Sequence, residues 1–151
     1  MVVILPINGV NTEEREEKPV AAQNPVVFSK EFTGELDCVG LLMVADDTYG
    51  IIPAGGVEGV EVSPDYTKGP LAVGCKNHIK NGKTVFEARY LGAGGVLEIK
   101  TDEAITAGSV VEADYTTGKV KVVGDDWAVG VALTSTTSSG GTLKVATCVP
   151  E

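Results

Sequence analysis

The chain has 151 residues, a length typical of one domain, and its 21 acidic and 12 basic residues give a formal net charge of −9. Such acidity repels nucleic-acid phosphates and anionic lipid surfaces, so we expect neither nucleic acid nor a membrane as a direct partner. The 19 glycines and the many Val, Ile and Thr residues divide the sequence into short extended pieces, which predicts an all-β protein.

The first part of the chain differs in composition from the rest. Residues 1–35 begin with an apolar run interrupted by Pro6, continue with a charged cluster at residues 13–18, and show little periodicity. We predict an extended N-terminal arm for residues 1–35 and one compact β domain for residues 36–151. Because the apolar start has neither a basic leader nor a small-residue cleavage site, we expect no signal peptide and no membrane span there.

Near the end of the predicted arm, Val26, Val27 and Phe28 form a short apolar patch. This patch could dock on a neighbouring subunit, on a larger assembly, or on the chain's own domain. The sequence leaves all three open.

From Leu36 onward, extended segments alternate with turn residues at intervals of about 8 to 12 residues. The predicted strands are residues 36–44, 49–53, 57–62, 71–75, 84–91, 96–99, 110–114, 119–123, 128–133 and 142–149. Residues 102–107 are the best candidate for a short helical turn, and a loop fits them equally well. The pattern predicts a small antiparallel β-barrel or a β-sandwich.

One strand candidate has an unusually small face. In residues 128–133, Val129, Val131 and Leu133 are predicted to point inward, while Gly130 and Ala132 lie on the other side. Such small residues permit the close approach of a neighbouring backbone.

The register of one hairpin can be predicted from its facing residue pairs. Residues 110–114 and 119–123 flank a four-residue loop that ends at Gly118, where a positive φ is commonly needed. The predicted facing pairs are Asp114–Lys119, Glu112–Lys121 and Val110–Val123 on one face, and Ala113–Val120 and Val111–Val122 on the other. Opposite charges then face each other across the ladder while the alternate face is apolar, so one register satisfies both faces.

The sequence contains few residues of the types that catalysis usually requires. General acid-base and nucleophilic mechanisms usually need a base beside the reacting group, and His78 is the one histidine of the chain. With Cys75, His78 supplies two metal ligands where structural zinc needs four, so we expect a surface histidine near a turn and no metal site. The glycines at residues 92–95 lack the Gly-Lys-Ser/Thr ending of a phosphate loop and are read as a turn.

The remaining polar clusters also favour structural roles. Cys38, Cys75 and Cys148 are odd in number and widely spaced, which favours reduced thiols made in a cytosol, with a small, mostly buried role for Cys148. The aspartate pairs at residues 46–47 and 125–126 lack the ligand spacing of a known calcium loop. Carboxylate pairs that meet only in three dimensions remain open.

Four elements of residues 104–149 occur in a recognisable order. They are Ala107-Gly108-Ser109-Val110-Val111, Thr117-Gly118-Lys119-Val120, Gly130-Val131-Ala132, and the final strand at residues 142–149. This order resembles the capsid decoration proteins, also called cement or head-stabilising proteins, of tailed bacteriophages. Members of that family are β-rich and commonly trimeric, and they clamp neighbouring major capsid subunits from outside the expanded head.

The resemblance implies a structural virion protein without catalysis or cofactor. It implies a homotrimer that binds the major capsid protein on the capsid surface after synthesis in the host cytoplasm. Val26, Val27 and Phe28 then become candidates for a capsid or subunit contact.

Two other functions stay open. One is a phage fibre, baseplate or surface adhesion domain that binds a host ligand. The other is a small hydrolase that uses acidic residues at a barrel mouth, which the single histidine disfavours.

Overall fold

The computed structural model describes residues 25–57, 59, 69–92, 95–122, 124, 128–137 and 141–147. Over these residues the chain is all-β, with eleven strands in two antiparallel sheets and no helix. The strands are β1 (Val26–Phe28), β2 (Phe32–Thr33), β3 (Leu42–Asp46), β4 (Gly50–Pro53), β5 (Ala72–Lys80), β6 (Lys83–Tyr90), β7 (Val96–Lys100), β8 (Val110–Asp114), β9 (Lys119–Val122), β10 (Ala128–Ala132) and β11 (Thr142–Ala146). The described part of the chain therefore holds no helix long and apolar enough to cross a membrane.

The first sheet is built around the β5–β6 hairpin. Its strand order is β1-β6-β5-β3-β4, and β2 pairs with β6 beyond the end of β1. Asn81 and Gly82 form the hairpin turn with φ values of 55° and 72°. Two positive φ values are the signature of a type I′ turn, whose twist matches that of the strands.

The second sheet contains the hairpin whose register was predicted. Its strand order is β7-β11-β10-β8-β9. Four of the five predicted pairs are confirmed: Asp114–Lys119, Glu112–Lys121, Ala113–Val120 and Val111–Val122. The fifth pair, Val110–Val123, is not tested because Val123 lies outside the described residues. Gly118 has the expected positive φ, 78°. The opposite charges and the turn glycine therefore fix this register as expected.

The second sheet curls without closing. A single parallel bridge between Thr101 and Val120 brings β7 and β9, its two outer strands, together at one point. Over the described residues neither sheet is closed into a barrel. Of the two predicted architectures, the barrel is therefore not formed.

The two sheets share one hydrophobic core. Phe32, Phe86 and Leu42 enter it from the first sheet, and Ile99 and Leu143 enter it from the second. Backbone hydrogen bonds also connect the sheets, since the N–H of Lys100 donates to the Gly40 carbonyl at 2.8 Å and the N–H of Leu42 donates to the Gly118 carbonyl at 2.7 Å. These links fix the position of the β8–β9 hairpin against the first sheet.

The strand predicted at residues 36–44 needs correction. Residues 36–44 were predicted as one strand, but Leu41 donates its N–H to the Cys38 carbonyl at 3.0 Å and Gly40 has a φ of 80°, so a turn precedes β3. The apolar run there reflects core burial rather than an extended strand. The strand predicted at 57–62 falls largely outside the described residues, as does the role expected for Cys148.

The end of the predicted arm lies within the first sheet. Val26–Phe28 and Phe32–Thr33 both pair with β6, and the buried side chain of Phe32 is part of the core. The arm before Pro25 lies outside the described residues.

The burial predicted for β10 is confirmed only for Val129. Val131 is half-buried and Leu133, beyond the end of the strand, is 48% exposed, whereas Gly130 and Ala132 are buried. A bulge between Ala128 and Gly130 shifts the register, so the inward positions change along the strand. The close approach predicted for Gly130 is confirmed, since a Cβ atom there would overlap the Ala146 carbonyl oxygen.

Candidate contact surface on the first sheet

Strand β1 turns two of the three predicted contact residues outward. Val26 and Phe28 are 38% and 53% exposed, whereas Val27, between them, packs against the core. Alternate residues of a strand point to opposite faces of the sheet, and this explains the division. Val26 and Phe28 therefore remain candidates for an external contact, while Val27 packs on its own domain.

The surface around Val26 and Phe28 extends over the β5–β6 hairpin. Residues paired across an antiparallel ladder share a face, so Arg89 lies beside Val26 and Glu87 lies beside Phe28. We call this surface the outer face, and its residues are Val26, Phe28, Lys76, His78, Lys80, Lys83, Val85, Glu87 and Arg89. The opposite side of β6 faces the core through Thr84, Phe86 and Ala88.

A small polar network stands at the centre of the outer face. The imidazole of His78 contacts the ring of Phe28, with centroids 5.8 Å apart, and its Nε2 lies 2.7 Å from Oε1 of Glu87. The hydrogen bond with His78 lowers the pKa of Glu87 below its ordinary value. Glu87 is therefore held as a carboxylate that fixes the imidazole against Phe28.

Cys75 lies at the edge of this network but does not form a nucleophile. Its thiol donates to Oε2 of Glu87 at 3.7 Å, and burial, followed by the negative charge of Glu87, raises the pKa of Cys75. Since the thiolate is the reactive form, this environment keeps the sulfur unreactive. The thiol proton is directed to Oε2 of Glu87, and His78 contacts the other oxygen of the same carboxylate.

The structure therefore brings Cys75 and His78 to a common carboxylate, which the sequence did not reveal. Among the residues that the structure describes, no group of three or more His, Cys, Asp or Glu side chains is arranged to hold a metal ion.

A groove adjoins the outer face where the two sheets meet. It has a volume of about 250 Å³ and is lined by Val39, Val73, Cys75, Arg89, Val96 and Glu98, among others. Val96 is 54% exposed at its rim. Arg89 belongs to both the groove and the outer face, so the two form one continuous surface.

A second polar cluster, Asp102 with Asp114, lies at the turn of the β8–β9 hairpin. The Thr117 hydroxyl donates to Oδ2 of Asp102 at 2.9 Å, and Thr116 donates both its N–H and its hydroxyl to Oδ1 of Asp114, at 2.9 and 2.7 Å. Burial, and then the hydrogen bond with Asp114, raises the pKa of Asp102 to about 6; the same hydrogen bond lowers the pKa of Asp114 to about 2. Between about pH 2 and about pH 6 the two carboxyl groups therefore share one proton.

This carboxyl pair does not suit hydrolysis. Glycosidases hold their carboxyl groups about 5 Å or more apart so that a sugar or a water fits between them. Asp102 and Asp114 are hydrogen-bonded directly to each other, and they also accept hydrogen bonds from Thr117 and Thr116 of the turn. The pair is better explained as a structural contact that links the end of β7 to the β8–β9 hairpin.

Sequence reasoning singled out Val26 and Phe28 as candidates but did not identify the basic part of the outer face. The charge pattern that indicates it is present in residues 72–90, which carry Lys76, Lys80, Lys83 and Arg89 against one acidic residue, Glu87, in a chain of net charge −9.

Comparisons of the chain with protein-family models, with curated proteins and with solved structures found no match.

Proposed function

We propose that this chain is a capsid decoration protein. It binds the outer surface of a tailed-phage head as a homotrimer and stabilises the contacts between major capsid subunits. The observation that carries the proposal is the resemblance of residues 104–149 to such proteins. The β8–β9 hairpin, which belongs to that segment, has the predicted register.

Clamping requires binding surfaces rather than reacting groups. The outer face offers exposed apolar side chains at Val26 and Phe28 beside fixed charges, and interfaces are commonly built from such a mixture. The raised pKa of the Cys75 thiol and the direct contact between Asp102 and Asp114 give no support to a nucleophilic or hydrolytic mechanism. The proposal therefore includes no catalytic step, no cofactor and no metal ion.

The thiols are compatible with synthesis in the host cytoplasm. Cys38 and Cys75 are both free, and disulfides are rare in reducing compartments. Burial, and then the charge of Asp37, raises the pKa of Cys38 to about 12, which protects this thiol from oxidation.

Electron microscopy of purified virions tests the proposal directly. We expect antibody against the chain to label the outside of mature, expanded heads, and density for it to appear as trimers over the shell. Heads that have not expanded serve as the control and should bind less. If mature virions carry no copy of the chain on their heads, the proposal is wrong.

Two further measurements separate the alternatives. A mass of three chains in solution is expected, because closed cyclic association gives a defined small oligomer. Binding of the purified chain to host-cell glycans, with no binding to heads, would instead favour a fibre, baseplate or adhesion domain.

A further inference from the structure

The charge of the β5–β6 hairpin is opposite to that of the chain. Lys76, Lys80, Lys83 and Arg89 against Glu87 give the hairpin a formal charge of +3, whereas the whole chain has −9. Lys76, Lys80, Lys83 and Arg89 all belong to the outer face. The outer face is thus a local basic surface on an acidic protein.

The tip of the hairpin shows that this concentration of charge has a structural cost. Lys80 and Lys83 are direct partners in the ladder on either side of the type I′ turn. Like charges placed opposite each other destabilise a hairpin. Glu31 approaches Lys83 at 3.6 Å, but its side chain is 58% exposed, so solvent weakens the relief it provides.

The apolar part of the outer face is placed beside these charges. Phe28 is the most exposed aromatic side chain among the large hydrophobic residues of the described chain, and it lies against His78. An exposed aromatic anchor surrounded by cations is the arrangement expected for a protein surface that offers an apolar depression among carboxylates.

Several acidic residues of the chain's own described surface are already engaged. Asp37 pairs with Lys100 at 3.7 Å, and Asp46 accepts the N–H groups of Thr48 and Tyr49 at 3.0 and 2.7 Å. Asp102 and Asp114 accept hydrogen bonds from Thr117 and Thr116 within their turn. These four carboxyl groups are engaged within their own domain, whereas others, such as Asp47, are exposed. A second copy of this acidic chain is therefore the competing occupant, and the oligomeric mass in the test below distinguishes it from a different protein.

We propose that the outer face docks an acidic protein surface, with Phe28 in an apolar depression and Lys76 and Lys80 on the partner's carboxylates. This inference rests on the proposed function, in which the partner is the outer surface of the capsid shell. A nucleic-acid partner is disfavoured, because the net charge of −9 repels phosphates and the face has one aromatic ring where base stacking would need several.

The Lys80→Glu variant gives a sharp test, because its effects on folding and on docking have opposite signs. The variant places a glutamate opposite Lys83, so a like-charge pair becomes an opposite-charge pair. The melting temperature should therefore rise or stay unchanged. Binding to expanded empty heads, assembled from the major capsid protein of the same genome, should weaken about tenfold or more at low salt. The matched control is Lys144→Glu, an exposed lysine of β11 in the second sheet, which should bind within about twofold of the wild type.

The apolar part is tested by Phe28→Ser against Leu133→Ser, which removes an exposed leucine directly after β10. Phe28→Ser should weaken binding at every salt concentration, since its contribution is apolar, whereas the effect of Lys80→Glu should fade as salt rises.

Each outcome has a distinct meaning. If the wild type binds heads and Lys80→Glu binds them equally well, the docking inference is wrong and the proposed function stands. If the wild type does not bind heads at all, the proposed function fails. If Lys80→Glu instead alters the oligomeric mass of the isolated chain, or abolishes binding to a DNA duplex, the face serves a second copy or nucleic acid, and the inference is overturned.

Discussion

Replacing Asp102 with asparagine should stabilise the fold at neutral pH and have little effect near pH 4. In the folded chain Asp102 shares a proton with Asp114, an arrangement that fails once both carboxyl groups are ionised. An asparagine amide is always neutral. Its oxygen can accept from Thr117 and its NH₂ group can donate to Asp114, so the contacts of the turn are kept.

The pH range follows from the two shifts. Asp102 has a folded pKa of about 6, above its ordinary 3.8, so its stabilising contribution is fully present below 3.8 and is lost as the pH rises to about 6. Asp114 has a folded pKa of about 2, so its contribution is present above 3.8 and is lost as the pH falls to about 2. The pair therefore stabilises the fold most near pH 3.8.

The size of the effect can be worked from the same values. The difference between 3.8 and about 6 corresponds to about 3 kcal/mol if each pKa unit contributes about 1.4 kcal/mol. Because Asp102 is partly exposed, solvent screening reduces this to about 1 to 2 kcal/mol. We expect the free energy of unfolding of Asp102→Asn, relative to wild type, to increase by that amount between about pH 4 and about pH 8.

Urea unfolding across this pH range measures the difference. Asp47→Asn removes the same charge from an exposed turn and serves as the control for the net charge of the chain. A difference between Asp102→Asn and wild type that stays constant from about pH 4 to about pH 8, or that falls as the pH rises, would refute the shared proton.

Two further outcomes are expected. Gly130→Ala should destabilise the fold by about 1 to 3 kcal/mol in urea unfolding, because the new methyl overlaps the Ala146 carbonyl oxygen, whereas Gly92→Ala, with open space around it, should change stability little. Cys75 should react slowly with a thiol reagent near neutral pH, because burial and then Glu87 raise its pKa; Glu87→Gln should speed the reaction, and an unchanged rate would contradict the assigned cause.

The sequence predicts those features that depend on near neighbours. Asp114 and Lys119 are five positions apart, so the loop between them and one opposite-charge pair determine the β8–β9 register. The small face at Gly130 was also visible, because glycine itself marks a close backbone approach.

Features that depend on distant neighbours were not visible. Strand β5 continues to Lys80, although residues 76–80 show no apolar alternation, because it is held by its ladder with β6 on one long hairpin. Conversely, the apolar run at 36–44 is broken by a turn at Cys38 because Gly74, a residue far along the chain, packs directly against it. Apolar character there reports burial, and burial alone does not select a strand.

The candidate surface could be predicted only in part for the same reason. Val26 and Phe28 are candidates because they form an apolar cluster in the sequence, but their surroundings are set by the pairing of β1 with β6, about sixty positions later. That pairing turns Val27 inward and brings Phe28 beside His78 and Glu87.

The environment of Glu112 depends on both near and distant neighbours in the sequence. The sequence pairs it correctly with Lys121, which lies 3.8 Å away, yet the carboxylate is fully buried while Val122, on the apolar face of the same hairpin, is 46% exposed. The burial comes from β10, which pairs along the other edge of β8, and from the loop after β9, where the Gly124 N–H donates to Oε1 of Glu112. A buried carboxylate is tolerated only when cations and N–H groups surround it, so this one holds β8, β9 and the following loop in a single arrangement. The segment on which the proposed function rests is thus fixed by a buried charge, whereas the surface proposed for docking lies on the other sheet, where charge stays exposed.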